Sequence, residues 1–160
     1  MAPLQRMLTN RSIPSATVIP ELAYPSVGNA VEWLCAAFSF TVRIRIADHR
    51  AQLNVGDGAI VVTELKNPGQ SIDNAHSMMV RVEDIDSHFE QALKHGARLI
   101  TAPTSYPYGE RQYSVEDFAG HRWNFSQSIA DVDPASWWHT GPHVSILRAF
   151  PIAFPAFREL

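Results

Sequence analysis

Ser26-Val-Gly-Asn-Ala-Val-Glu-Trp-Leu-Cys-Ala-Ala-Phe38 and Asp84-Ile-Asp-Ser-His-Phe-Glu-Gln-Ala-Leu-Lys-His-Gly96 are one pattern written twice, 58 residues apart. In the first copy Val27, Val31, Leu34, Cys35 and Phe38 recur with the spacing of a single helix face. In the second, Ile85, Phe89, Ala92 and Leu93 do the same. Ser26 and Asp84 stand just before their stripes, where a short oxygen-bearing side chain accepts from the free N–H groups of the first turn. Gly96 supplies the left-handed residue that stops the second helix. Phe38 holds the matching position in the first copy, so that helix is expected to end differently. Each helix is preceded by a short alternation, Leu22 and Tyr24 before the first, Val80 and Val82 before the second.

The segments after each helix read as strands. Thr41-Val-Arg-Ile-Arg-Ile46 alternates, which predicts Val42, Ile44 and Ile46 on one face with Arg43 and Arg45 on the other. Residues 51–55 alternate as well, Gly56-Asp-Gly58 makes a hairpin turn, and residues 59–65 close the unit. In the second copy, residues 98–101, 111–115 and 121–127 supply the matching strands, with Asp117-Phe-Ala-Gly120 as the turn. The order is βαβββ used twice, an α+β fold in which each sheet carries its helix on one face. The expected organisation is an N-terminal arm (1–16), a first module (17–66), a linker (67–75), a second module (76–133) and a C-terminal extension (134–160). That extension holds Trp137-Trp138 and an apolar, proline-broken stretch at 144–157, expected to pack over a partner or its own cleft.

Composition narrows the function. The 160 residues carry 13 Lys+Arg against 16 Asp+Glu with no long run of either sign, so no basic stripe for nucleic acid exists. No apolar stretch is long enough to span a bilayer, and residues 1–12 lack the continuous apolar core of a signal peptide, so no membrane partner and a cytoplasmic location are expected. One cysteine, Cys35, excludes an intramolecular disulfide framework and a Cys-rich zinc site. It lies on the first helical stripe as a small hydrophobe.

The duplicated order, Pro20-Glu-Leu-Ala-Tyr24 leading into residues 30–40, and above all Tyr108-Gly-Glu-Arg-Gln-Tyr-Ser-Val-Glu-Asp-Phe-Ala-Gly-His-Arg-Trp-Asn-Phe-Ser-Gln127 resemble the vicinal oxygen chelate superfamily. This group includes glyoxalase I, bleomycin resistance proteins and extradiol dioxygenases. The last segment is similar to the closing strands of the bleomycin-resistance and PhnB-like branch, with Phe118 where that branch usually has proline. The resemblance covers about residues 17–133. It implies a homodimer with a cleft near the subunit boundary, in keeping with the need to cover exposed strand edges.

The resemblance also says where a metal would sit. In metal-dependent members, first-strand His or Gln and last-strand Glu residues converge on one divalent ion. Carried over by position, those slots are Ile19, Ser77, Val62 and Asn124, none of them a strong ligand. His76 misses its slot by one residue, which in a strand turns a side chain to the opposite face. His76 and Glu64 are the remaining candidates for a divalent ion, and otherwise no cofactor is expected. His49, His88, His95, His121, His139 and His143 form no helical metal pair.

The cleft positions favour small-molecule recognition. Glu64 shares the strand parity of Val62, and Glu21 that of Ile19, so both are expected in the cavity. Met79 and Arg81 share the parity of Ser77; Arg122 shares that of Asn124. Tyr106, Tyr108 and Tyr113 cluster with Glu110 and Arg111 in the segment that edges the cleft in related proteins. Aromatic faces with a few polar groups stack on and orient a planar or conjugated organic ligand. The expectation is a metal-free protein that sequesters such a ligand, with an antibiotic as the type of ligand the branch suggests. The alternatives are a metal-dependent lyase, isomerase or dioxygenase, and a metal-free enzyme with Glu21 or Glu64 as base and Arg81 or Arg122 stabilising negative charge.

Overall fold

A computed structural model describes residues 8–137 except 68, 70, 73 and 74. The element order is β1 (Glu21–Tyr24), α1 (Val27–Phe38), β2 (Thr41–Ile46), β3 (Arg50–Val55), β4 (Gly58–Glu64), β5 (Met78–Arg81), α2 (Ile85–Lys94), β6 (Arg98–Ser105), β7 (Glu110–Glu116), β8 (Arg122–Ser128) and α3 (Pro134–Trp137). Two four-stranded mixed sheets result, ordered β1-β4-β3-β2 and β5-β8-β7-β6. In each, the first strand runs parallel to the last, and the remaining pairs are antiparallel. The duplicated α+β fold is thus present in both halves. Most of the C-terminal extension, 138–160, lies outside the described residues, as does the role expected for it.

Local chemistry sets the helix limits. The Ser26 hydroxyl accepts from Asn29 N–H and the Asp84 carboxylate from Ser87 N–H, as their positions predict. The α2 helix gives way to Gly96 at φ +87°. The α1 helix ends on Ser39 at φ +62°, a left-handed residue without glycine. The alternation predicted for β2 is interrupted. A bulge between Val42 and Ile44 places Arg43 with Gln52 on one face, and Arg45 pairs with Ala51 on the other.

Leu22, Tyr24, Ala51, Leu53, Ile60 and Val62 bury one face of the first sheet under α1. Tyr113, Val115, Trp123 and Phe125 do the same under α2. The modules share this core: Phe38 from α1 lies 5.3 Å from the Trp123 ring and 4.8 Å from Phe125. Polar contacts reinforce the seam. The Trp33 indole on α1 donates to His95 O at the end of α2 (2.7 Å), and His121 Nε2 donates to Ala23 O (2.8 Å). Asp117, fully buried in the β7–β8 turn, accepts from Tyr24 Oη (2.6 Å), Trp123 Nε1 (3.1 Å) and the N–H groups of Ala119 and His121 (3.0 Å each). Burial, then the Asp117 charge, holds the Tyr24 phenol well above its usual range, so it stays a donor. Only the turn role of Asp117 is readable from its place before Gly120.

Candidate functional site

Each sheet carries its helix on one face, and strand parity sorts every site residue onto that face or the opposite one. On the second sheet the open face carries Met79 and Arg81 from β5, Arg122, Asn124, Ser126 and Ser128 from β8, and Glu110, Gln112, Ser114 and Glu116 from β7. Its centre is a hydrogen-bonded row. Asn124 Nδ2 donates to Ser77 Oγ (2.9 Å), and Ser114 Oγ donates to Asn124 Oδ1 (2.5 Å). A second row lies one repeat along: Gln112 Nε2 donates to Ser126 Oγ, which donates to Glu110 (2.6 Å), while Ser128 Oγ donates to the other Glu110 oxygen (2.6 Å). Burial alone would raise the Glu110 pKa, but the two hydroxyl donors and the nearby Arg81 outweigh it and hold the carboxyl below its usual range.

The Tyr106-Pro-Tyr-Gly109 turn forms one end of this face. The Tyr106 and Tyr108 rings lie parallel, 8° apart in plane and 5.2 Å between centroids, and Tyr108 Oη donates to Gln112 Oε1 (3.3 Å). Burial and the neighbouring Tyr106 and Glu110 push the Tyr108 phenol up to about 12, so it is protonated at neutral pH. Gly109 fixes the turn. Its φ is +83°, its carbonyl accepts from Ile129 N–H (2.8 Å), and a Cβ there would meet Ala130 O at 2.4 Å. At the other end Glu116 pairs with Arg122 (3.4 Å) and with Arg98. Between the two ends Met79 is 65% exposed, an apolar floor ringed by polar groups.

Met79, Arg81, Arg122 and Asn124 therefore share one face as expected, with Tyr106 and Tyr108 at its end. Two residues of the expected cluster do not join them. Tyr113 is fully buried on the helix side, hydrogen-bonded to His88 Nδ1 (2.6 Å), and burial raises its phenol pKa. Arg111 also faces the helix side, where it grips Asp86 of α2 (2.9 Å). Alternation within Glu110–Glu116 holds the missing signal. The apolar parity of Tyr113 and Val115 places Glu110, Gln112 and Ser114 opposite; Glu110 belongs to the expected cluster, while Gln112 and Ser114 are absent from the site residues expected from sequence.

Glu21 and Glu64 do not converge. Glu21 is on the face of the first sheet opposite its helix and pairs with Arg50 (2.7 Å). Glu64 pairs with Tyr24 in the β1–β4 ladder and so faces the helix side, at the exposed strand end. The cause is one residue. Asn124 lies opposite Met79 and Ser114, and the matching trio in the first sheet is Val61 opposite Glu21 and Gln52. The β7–β8 turn is one residue longer than the β3–β4 turn. The first-module slot is therefore Val61 rather than Val62, and the parity assigned to Glu64 reverses.

The metal slots are thus Ile19, Val61, Ser77 and Asn124, two hydrocarbons and two neutral groups already hydrogen-bonded to each other. His76 is exposed and precedes β5 on the parity of Met78, the helix side. Among the described residues no three His, Cys, Asp or Glu side chains form a group able to hold an ion. These residues do not fit the family's divalent metal. His88, beside the α2 stripe, is a core residue. Its Nε2 donates to Phe38 O (3.2 Å), its Nδ1 accepts from Tyr113, and burial lowers its pKa against the weaker opposing pull of that carbonyl.

Comparison with known proteins agrees with this architecture. Residues 17–125 match the Glyoxalase/Bleomycin resistance protein/Dioxygenase superfamily, and the chain belongs to it. TioX from Micromonospora sp. ML1 superposes with a TM-score of 0.60 at 30% identity, covering 74% of this chain and all of TioX (100%). The fosfomycin resistance protein FosX of Listeria monocytogenes superposes at 0.58 with 12% identity, over 72% of this chain and 94% of FosX, a likeness of fold alone. The uncharacterized protein Mb0911c of Mycobacterium bovis is 36% identical over 52 residues, 32% of this chain. The chain spans about a third of the length of the curated relatives it matches (34% of Mb0911c). Among the described residues no helix is long and apolar enough to cross a membrane.

Proposed function

We propose that this chain is a metal-free binding protein that sequesters a planar or conjugated organic molecule on the open face of its second module, as the bleomycin-resistance and PhnB-like branch would. One observation carries the reading: where a metal-dependent relative would present ligands, Asn124 spans Ser77 and Ser114 in a neutral hydrogen-bonded row. Such a row is a poor Lewis-acid site, because neutral hydroxyl and amide oxygens hold transition ions weakly. It is a good recognition surface, offering directional groups beside the Tyr106–Tyr108 stack and the Met79 floor. A second copy closes the cleft in this reading, which makes the working unit a cytoplasmic homodimer.

The test is a thermal-shift screen of the full chain against planar cationic antibiotics, followed by calorimetry on each hit. The reading predicts at least one saturable ligand, recovered chemically unchanged, whose affinity falls about tenfold or more in Tyr108→Ala, the loss of one stacking partner and its burial. Turnover of the hit, or binding indifferent to Tyr108→Ala and Asn124→Ala, would contradict it.

A further inference from the structure

The two faces opposite the helices are equivalent by the repeat, yet their surroundings differ. On the second sheet Asn124 and Ser114 are half-buried. On the first, Val61 and Gln52, which hold the same places in the cross-strand row, are 3% and 4% exposed. The chain's own N-terminal segment lies against that face. Residues 10–13 form a tight turn, with Ile13 N–H donating to Asn10 O (3.4 Å) and Ser12 N–H to Asn10 Oδ1 (3.0 Å). A turn of this kind directs its middle carbonyls outward. Both are taken: Arg43 Nη2 donates to Arg11 O (2.7 Å) and Gln52 Nε2 donates to Ser12 O (2.9 Å). Arg43 Nη1 donates to Gln52 Oε1, which fixes the two donors relative to each other. Pro14 comes next and is buried, beside Arg43, Asn54 and the Gly56–Ala59 hairpin.

We propose that Arg43 and Gln52 form a carbonyl-binding site on the first module, and that its resident ligand is the tight turn of residues 10–13 with Pro14 behind it. The chemistry is that of a peptide-recognition surface. Two side-chain donors, locked together by a third hydrogen bond, address consecutive main-chain carbonyls without regard to the side chains that bear them. Only Pro14 adds shape. The bulge in β2 makes this possible, because it turns Arg43 onto the face of Gln52. The arm thereby converts two equivalent faces into one self-occupied and one open. The site does not depend on what the second module binds.

Limited trypsinolysis of the full chain tests this, following the Arg11–Ser12 bond by mass spectrometry. The proposal predicts cleavage there at least tenfold slower than in a free peptide of residues 8–18, and restored to within about threefold of the peptide rate in Arg43→Ala and in Gln52→Ala. Arg50→Ala, which removes an ion pair on the same face outside the strap, leaves the rate unchanged. A millimolar peptide of residues 8–18 carrying Arg11→Gln, which trypsin does not cut there, accelerates cleavage of the chain's own bond by displacing the arm. Cleavage of the native chain at the peptide rate, or slow cleavage unaltered by Arg43→Ala and Gln52→Ala, overturns the proposal. Far-ultraviolet circular dichroism of each variant separates release of the arm from unfolding, and Arg43→Lys, which keeps the charge but only one donor nitrogen in place of Nη1 and Nη2, is expected to fall between the two rates.

Discussion

The two βαβββ modules share a topology but differ in how they treat the same row of positions. In the first, Glu21, Val61 and Gln52 make a row whose Gln52 end is bonded to the arm beside Arg43, while exposed Glu21 pairs with Arg50 at the other end. In the second, Met79, Asn124 and Ser114 make a row that is open, neutral and bordered by stacked tyrosines. Duplication supplies two potential faces, and a handful of side chains decides that one is met by the chain's own arm and the other is left open. Neither row offers the convergent charged ligands that a divalent ion requires.

The largest way to break the comparison is at the seam that makes both modules fold as one. Asp117→Ala leaves Tyr24, Trp123 and two backbone N–H groups without their buried acceptor, and is expected to cost about 3–5 kcal/mol. Urea unfolding would show it as a large fall in midpoint. A loss under about 1 kcal/mol would mean that the carboxylate is not the seam's anchor. Next in size is Gly109→Ala, which meets Ala130 O in a left-handed backbone. It should cost roughly 2–3 kcal/mol and disturb the Tyr106–Tyr108 end of the open face. Gly56, at φ +58° in the β3–β4 hairpin of the first module, has open space where its Cβ would sit, so Gly56→Ala should cost only about 1 kcal/mol. Equal losses in the two variants would remove the distinction between a packed turn and an exposed one.

A smaller effect separates the modules by pH. His88 sits neutral at their interface with its pKa lowered by burial, so the unfolded chain binds a proton that the native chain resists. Stability contributed this way is fully present above the unfolded value, about 6.5, and is lost as pH falls from there through the lowered native pKa. Denaturant midpoints between neutral and mildly acidic pH should therefore fall for the native sequence and fall less steeply for His88→Gln. Parallel slopes would place the titration elsewhere. The smallest expected change is Arg50→Ala, an exposed pair with Glu21 worth about 0–1 kcal/mol.

The sequence is most legible where periodicity repeats itself. Both helices, their caps at Ser26 and Asp84, and the strand order follow from patterns that local chemistry enforces. It is least legible where a single inserted residue changes a face. The longer β7–β8 turn moves the metal slot from Val62 to Val61 and turns Glu64 away, and the β2 bulge places Arg43 with Gln52. Neither length difference has a cost that composition reveals. Proximity in the chain groups Tyr113 and Arg111 with the cleft tyrosines, although the parity of Val115 assigns both to the helix side. The arm over the first sheet has no periodic signature, because it is held by main-chain carbonyls that every residue possesses.

The central claim, that this member of the superfamily works without a resident metal, is tested most directly by the metal content of the full chain. The chain should be purified without tag or chelator and exposed to Ni, Zn, Mn and Fe before exhaustive dialysis. The account predicts far less than one equivalent of any of them, with no change on Asn124→Ala. One tightly held equivalent per chain, lost on substituting Ser77, Asn124 or His76, would contradict it.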